Sequence, residues 1–313
     1  MEDPELAAKT HDDILVFLQE SLPPDVFRNY GNALALNAEG LFQWVAVASQ
    51  FILDPPGHFG YSKDKCINHL LRLNINHDGQ DPLDKLYKEL LEGYFTDREA
   101  QLLFCSVVGQ LITSIEPLSI FSLITLQEHT AAAADGGAIV ILLHCLGSLL
   151  TNVNSSDHSL PIIPLHTSFR DFLTNKEKSG DFYVDLHDAH HQMANSCLSL
   201  LLSGLKFNIC NLETSYLANE KVADLQSHIA KHIPPALLYS CCFWDDHLEH
   251  IGFETGLSKK LQTFFKTKFL LWLEALSLTN HVGLALPACL ALKVWLTSGQ
   301  GVSTIQLLIW QGR

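Results

Sequence analysis

Histidine is the residue in this chain most able to do chemistry, because imidazole ligates metals and moves protons near neutral pH. The chain has sixteen, and three groups have suggestive spacing. His187, His190 and His191 include an i, i+4 pair on one helix face, and His228 with His232 forms another. His247 and His250 stand among Asp245, Asp246 and Glu249. Zinc hydrolases place such a pair around a glutamate base in H-E-x-x-H, so that one helix face holds the metal and activates its water. No such string occurs. The spacing therefore fits ordinary surface and helix-end histidines, with no metal ligand assigned and a metal-dependent hydrolase as an alternative.

Phosphate chemistry needs a backbone cradle and a lysine, spaced G-x-x-x-x-G-K-[ST]. Gly57-His58-Phe59-Gly60-Tyr61-Ser62-Lys63 is a loose echo with the wrong spacing and no apolar strand before it. Neither G-x-G-x-x-G nor the nucleophile elbow G-x-S-x-G is present. No residue is given a catalytic role, and the chain is expected not to be an enzyme.

These residues must be positioned by a chain of 313 residues, 47% apolar and 17% charged. Chains of that length bury roughly three quarters of their unfolded surface and need no disulfide or metal to hold a core. The formal charge of −14 disfavours phosphate backbones and anionic lipid, so nucleic acid and membrane are not expected partners. Eight cysteines without a C-x-x-C pair, several in apolar helical patterns (Cys105, Cys145, Cys197), suit a reducing compartment. The start Met1-Glu2-Asp3-Pro4-Glu5 lacks the features of a signal peptide. The longest apolar runs, 138–150 and 282–296, fall short of the ~20 residues a membrane span needs. A cytoplasmic location is expected.

The periodicity predicts a mostly α fold. Asp12 or Asp13 is expected to cap a first helix ending before Pro23-Pro24, with further helices at about 25–37 and 41–53 and a stop at Asp54-Pro55-Pro56-Gly57. A helix around 67–71 follows, and Leu83, Leu86, Tyr87, Leu90 and Leu91 mark an amphipathic one. Thr96-Asp97-Arg98-Glu99 reads as a capping box opened by Thr96. Pro117 suits the first turn of the next helix, and Gly136-Gly137 precedes another at 138–149. The short apolar runs 150–153 and 160–165 read as a hairpin. Three helices then a hairpin is winged-helix order. Later helices are expected at 186–202, 219–232, 235–248, 257–276 and 282–296. The divisions are a helical segment 1–93, a winged helix 94–180, a second helical domain 181–296 and an irregular tail 297–313.

A winged helix that reads DNA offers Arg, Lys, Asn or Gln from its third helix. Here that helix reads Ala138-Ile139-Val140-Ile141-Leu142-Leu143-His144-Cys145-Leu146, without a basic residue, and is expected to be buried.

Several strings together resemble one family. Ala38-Glu39-Gly40-Leu41-Phe42-Gln43-Trp44-Val45-Ala46 resembles the end of the nucleotide-binding region of NACHT-type (STAND) signalling NTPases. Pro82-Leu83-Asp84-Lys85-Leu86-Tyr87 is similar to the linking helix after it, and Leu165-His166-Thr167-Ser168-Phe169-Arg170-Asp171-Phe172-Leu173 to the family's winged-helix signature. Asn208-Ile209-Cys210-Asn211-Leu212, Tyr239-Ser240-Cys241-Cys242-Phe243-Trp244 and Trp272-Leu273-Glu274-Ala275-Leu276-Ser277 resemble the fungal, mushroom-type members that carry a WD-repeat propeller.

The resemblance implies a nucleotide-operated switch in self/non-self recognition and programmed cell death. It also implies that His166 contacts the ADP phosphate when joined to an NTPase core. Phe169, Phe172 and Leu173 would pack that helix into its domain. The P-loop and the propeller would lie outside this chain, so ADP or ATP is the cofactor of an intact member and none is expected here. Protein partners follow, including intact NACHT relatives. Alternatively, the chain is a stand-alone interaction module or decoy, with an apolar patch near Leu41–Phe51.

Overall fold

The computed structural model describes residues 4–53, 63–72, 81–130, 134–214 and 216–298, with side chains from residue 9 onward. The stop at 54–57, most of the glycine-rich string 57–63 and the tail from 299 lie outside the described residues. What is described is mostly α, with sixteen α-helices. No helix among the described residues is long and apolar enough to cross a membrane.

The chain forms two compact units, neither a continuous stretch. The first takes residues 1–105 and 137–184, the second 106–136 and 185–313. The first unit opens with α1 (Pro4–Ser21), α2 (Pro24–Asn37) and α3 (Phe42–Leu53). Proline suits the start of α2 because a first-turn N–H has no partner within the helix. α1 starts eight residues before the expected cap at Asp12, so both aspartates sit within it, exposed. α4 (Lys63–Arg72) packs on α2 and α3. α5 (Pro82–Tyr94) is capped by Asp81, whose carboxylate accepts the Leu83 N–H at 2.8 Å.

α6 (Arg98–Thr113) is capped by Asp97, which accepts the Ala100 N–H at 2.8 Å, one residue after the expected Thr96. A carboxylate at that position both accepts the bond and faces the positive end of the helix. The first half of α6 belongs to the first unit and the second half to the other. α7 (Ile120–Gln127) takes Ser119 as its cap, leaving Pro117 before the helix instead of within its first turn.

α8 (Gly136–Cys145) is shorter than expected and only partly covered: Ile139, Leu142 and Leu143 are buried while Ile141 is half exposed. Where a hairpin was expected, the two runs meet through an antiparallel bridge between Leu150 and Pro164. Flanking bonds run from Thr151 N–H to the Ile163 carbonyl and from Leu165 N–H to the Leu149 carbonyl, each 2.9 Å. Pro161 and Pro164 have no N–H to donate, and Asn152 adopts a φ of 59°, so no regular ladder builds up. α9 (Thr167–Leu173) and α10 (Lys176–Ser179) complete the unit. Its core is aromatic. Phe95, Phe104 and Phe182 lie 5.0–6.3 Å apart, and the Tyr87 ring sits 5.2 Å from Phe169 and 5.5 Å from Phe172. α3 turns Trp44, Val45, Val47, Ala48, Phe51 and Ile52 inward and leaves Phe42 exposed, so its apolar face belongs to the core.

In the second unit α11 (Leu186–Gly204) lies along α13 (Pro235–Glu249), and α7 packs on both. The expected helix 219–232 is instead a 3-10 turn at 219–221 followed by α12 (Leu225–His232), separated by Asp224 with a φ of 54°. The expected helix 257–276 is two, α14 (Thr255–Thr267) and α15 (Phe269–Leu278), broken at Lys268. The Lys268 ammonium donates to the Leu205 carbonyl at 2.6 Å, which holds that break. A 3-10 turn at 282–284 leads into α16 (Ala285–Ser298). Trp244, Phe264 and Trp272 form the core, with centroids 5.7–6.0 Å apart. All eight cysteines are free thiols, and Cys66, Cys145, Cys197, Cys210, Cys241 and Cys242 are buried.

Candidate functional site

His166 is the residue just before α9, with extended backbone angles of −149° and 147°. Its ring supplies the cap that a serine or aspartate usually gives: Nδ1 accepts the Ser168 N–H at 3.1 Å. The Ser168 hydroxyl lies 2.7 Å from the same nitrogen, and the Tyr87 hydroxyl 2.9 Å from that hydroxyl. Tyr87 is also hydrogen-bonded to Gln43. Burial pushes the Tyr87 phenol up to about 12, so it keeps its proton. Since a backbone N–H claims Nδ1 as acceptor, the proton of a neutral His166 ring sits on Nε2. His166 is exposed, so Nε2–H is available to an oxygen acceptor outside the chain.

The scaffold below this histidine is buried and aromatic. Phe169, Phe172 and Leu173 are at most 1% exposed and seat α9 against Tyr87. The Lys178 ammonium binds the Asp84 carboxylate at 2.7 Å, tying α10 to α5, and that contact raises the lysine above its ordinary value. Gln43, Asp84, Tyr87 and the 166–173 segment come from three separate strings of the sequence, and the fold brings them to one place. In the sequence His166 stands out, whereas Gln43, Tyr87 and Ser168 carry no functional mark. Their contacts span 81 residues in one case, and no local pattern marks them.

The other histidines go elsewhere. His187 faces Asp188 at 3.6 Å and His191 faces Glu254 at 3.7 Å, so the i, i+4 pair does not converge. His228 Nδ1 donates to the Cys210 carbonyl at 2.9 Å, beside a His232 ring stacked at 6.4 Å. The buried pair is one the spacing did not suggest. His190 on α11 and His247 on α13 meet through their Nδ1 atoms at 2.9 Å. His247 Nε2 lies 2.9 Å from the Tyr239 hydroxyl, which accepts the Ile115 N–H at 3.1 Å. His250 stacks on His190 with centroids 4.1 Å apart.

Desolvation, reinforced by His190 and His250, drives His247 down to about 3. Nearby Asp245 is pushed up to about 7, chiefly by burial. With His247 fully buried, this chain of bonds fastens two helices and a turn and has no face for a substrate. Among the described residues no three His, Cys, Asp or Glu converge as metal ligands.

No protein-family profile matches the chain, and no solved structure matches it. It is 26% identical over 268 residues to the vegetative incompatibility protein HET-E-1 of Podospora anserina, an alignment that takes in 77% of this chain. The chain spans about a fifth of that relative's length, 18%, and the two are distantly related.

Proposed function

We propose that this chain is a non-catalytic regulatory part of a NACHT-type nucleotide-operated signalling switch. In that role His166 donates from Nε2 to a phosphate oxygen of ADP held by an NTPase core. The observation that carries the reading is the convergence of three NACHT-like strings on one exposed, capped imidazole with its free N–H outward. An imidazole suits a phosphate because it donates a hydrogen bond when neutral and a charge-assisted one when protonated. The distant relation to a vegetative incompatibility protein supports a setting in self/non-self recognition. The reading makes the partner a protein, an intact NACHT relative, and the setting cytoplasmic. ADP and ATP belong to the assembled switch, because one donor without a phosphate cradle does not hold a nucleotide by itself.

The test adds purified chain to the NTPase core of an intact relative loaded with fluorescent ADP and follows release. The chain is expected to slow release several-fold. His166→Asn, which keeps a capping side chain, is expected to lose part of that effect. His166→Asp also caps the helix but sets a carboxylate against the phosphate, and it is expected to lose the effect entirely. Equal slowing by all three proteins would remove His166 from the reading. ATP turnover that co-elutes with the chain through repurification would overturn the non-catalytic part.

A further inference from the structure

The second unit carries a hollow of about 470 Å³ between the loop after α11 and the outer side of α15. Its frame is fixed. Asn208, with a φ of 48°, closes the loop on itself through both amide atoms, donating to the Leu212 carbonyl at 2.9 Å and accepting the Leu212 N–H at 2.8 Å. Asn219 donates to the Ser277 carbonyl at 2.9 Å, which fastens the far end of the loop to α15. Two apolar side chains of the hollow's lining are exposed, Phe207 at 84% and Leu217 at 47%. Large apolar groups exposed together in the lining of one hollow, and not scattered singly, mark a contact surface.

The hollow also has a sign. Glu213 and Glu274 both line it, and no basic residue does among those described; Lys206 and Lys221 are near in sequence but are not part of the lining. Glu274 is half-buried, and its Oε1 accepts the Ile209 N–H at 3.2 Å, so the carboxylate is oriented before any ligand arrives. An oriented carboxylate beside a second one, an exposed phenyl ring and leucine walls matches one side chain in particular. Arginine lays an apolar stem along leucine, stacks its guanidinium on an aromatic face and bonds carboxylate through a planar fork.

We propose that this hollow takes an arginine side chain from an extended segment of a partner protein. Glu274 and Glu213 receive the guanidinium, Phe207 covers it, and Leu212 and Leu217 flank the stem. The proposal uses no residue of the nucleotide reading and stands whether or not that reading does.

The experiment titrates the full chain with capped Leu-Arg-Leu peptide and with its citrulline counterpart, an isostere without the charge, and follows backbone amide shifts. The arginine peptide is expected to move amides in 207–219 and 274–278, with the citrulline peptide weaker by roughly tenfold. Glu274→Gln keeps an acceptor for the Ile209 N–H, and Phe207→Ala changes a solvent-exposed ring, so neither variant should disturb the fold. Each is expected to weaken arginine binding by roughly tenfold while amides outside the loop stay in place. Equal affinity for the two peptides, shifts confined to other regions, or full binding by both variants overturns the proposal. Self-association that Phe207→Ala abolishes also overturns it, and assigns the hollow to a second copy of the chain.

Discussion

The His166 ring has two nitrogens with separate tasks, one closing the start of α9 and the other facing out. The outward proton therefore depends on the inward bond. Long-range nitrogen–proton NMR is expected to show unprotonated Nδ1 and protonated Nε2 for His166 in the chain alone. Tyr87→Phe removes the hydroxyl that orients Ser168 and is expected to shift the ring toward a mixture of tautomers. Ser168→Ala leaves only the backbone N–H on Nδ1 and is expected to shift it further. A wild-type ring already protonated at Nδ1 would break the link between cap and donor, independently of any nucleotide measurement.

At the same scale, His247 and Asp245 oppose each other as pH falls. The folded His247 value of about 3 lies below its unfolded value of 6.5, so its contribution is full above pH 6.5 and is lost as pH falls toward 3. Asp245 rises from 3.8 to about 7, so its contribution is present at low pH and is lost as pH climbs through that window. The two slopes overlap between about pH 4 and pH 6.5 and offset each other. Asp245→Asn removes one of them. Its melting temperature is expected to fall monotonically as pH drops from 6.5 to 4, while the wild-type curve stays flatter over the same range. Parallel curves would mean that the two groups do not titrate in opposition.

At the scale of elements, hydrogen bonding separates two tryptophans that burial alone would equate. The indole N–H of Trp272 on α15 donates to the Cys241 carbonyl of α13 at 2.8 Å, whereas that of Trp244 on α13 has no partner among the described residues. Both are fully buried. Replacing either by Phe leaves a similar cavity, but only Trp272→Phe also removes a buried hydrogen bond, the one to the Cys241 carbonyl. It is expected to cost about 1 kcal/mol more than Trp244→Phe in chemical denaturation.

The elements themselves were legible where apolar period and punctuation agree. Pro235 announces α13, and the structure starts that helix there, while α2 starts at Pro24, one residue before the expected 25. They were illegible where periodicity runs through a break. Phe264, Phe265, Phe269 and Leu270 keep an unbroken apolar pattern, while the actual stop comes from Lys268 reaching a carbonyl 63 residues away. Asp224 breaks α12 from its predecessor by a left-handed turn that no glycine signals. The cap at Asp97 was missed because threonine and aspartate compete for that role and only geometry chooses. The same holds for the sites. His166 stands out by resemblance, but its relay to Tyr87 and the pairing of His190 with His247 join residues 81 and 57 positions apart in their bonds.

On the scale of the whole molecule, six buried thiols are distributed over two units, with Cys66 and Cys145 in the first and Cys197, Cys210, Cys241 and Cys242 in the second. Burial raises each of them, Cys197 and Cys242 up to about 12, so little thiolate exists in the folded state. Each therefore acts as a silent reporter that alkylating reagent reaches only when its surroundings open. Brief exposure to iodoacetamide in rising denaturant, read by peptide mass, is expected to give one common midpoint for Cys197 and Cys241, which lie on the adjoining helices α11 and α13. Cys66 and Cys145 are expected to share a midpoint of their own. The native cysteines thus form a built-in clock for the opening of each unit, and the order in which they become reactive ranks the two units by stability without any added label.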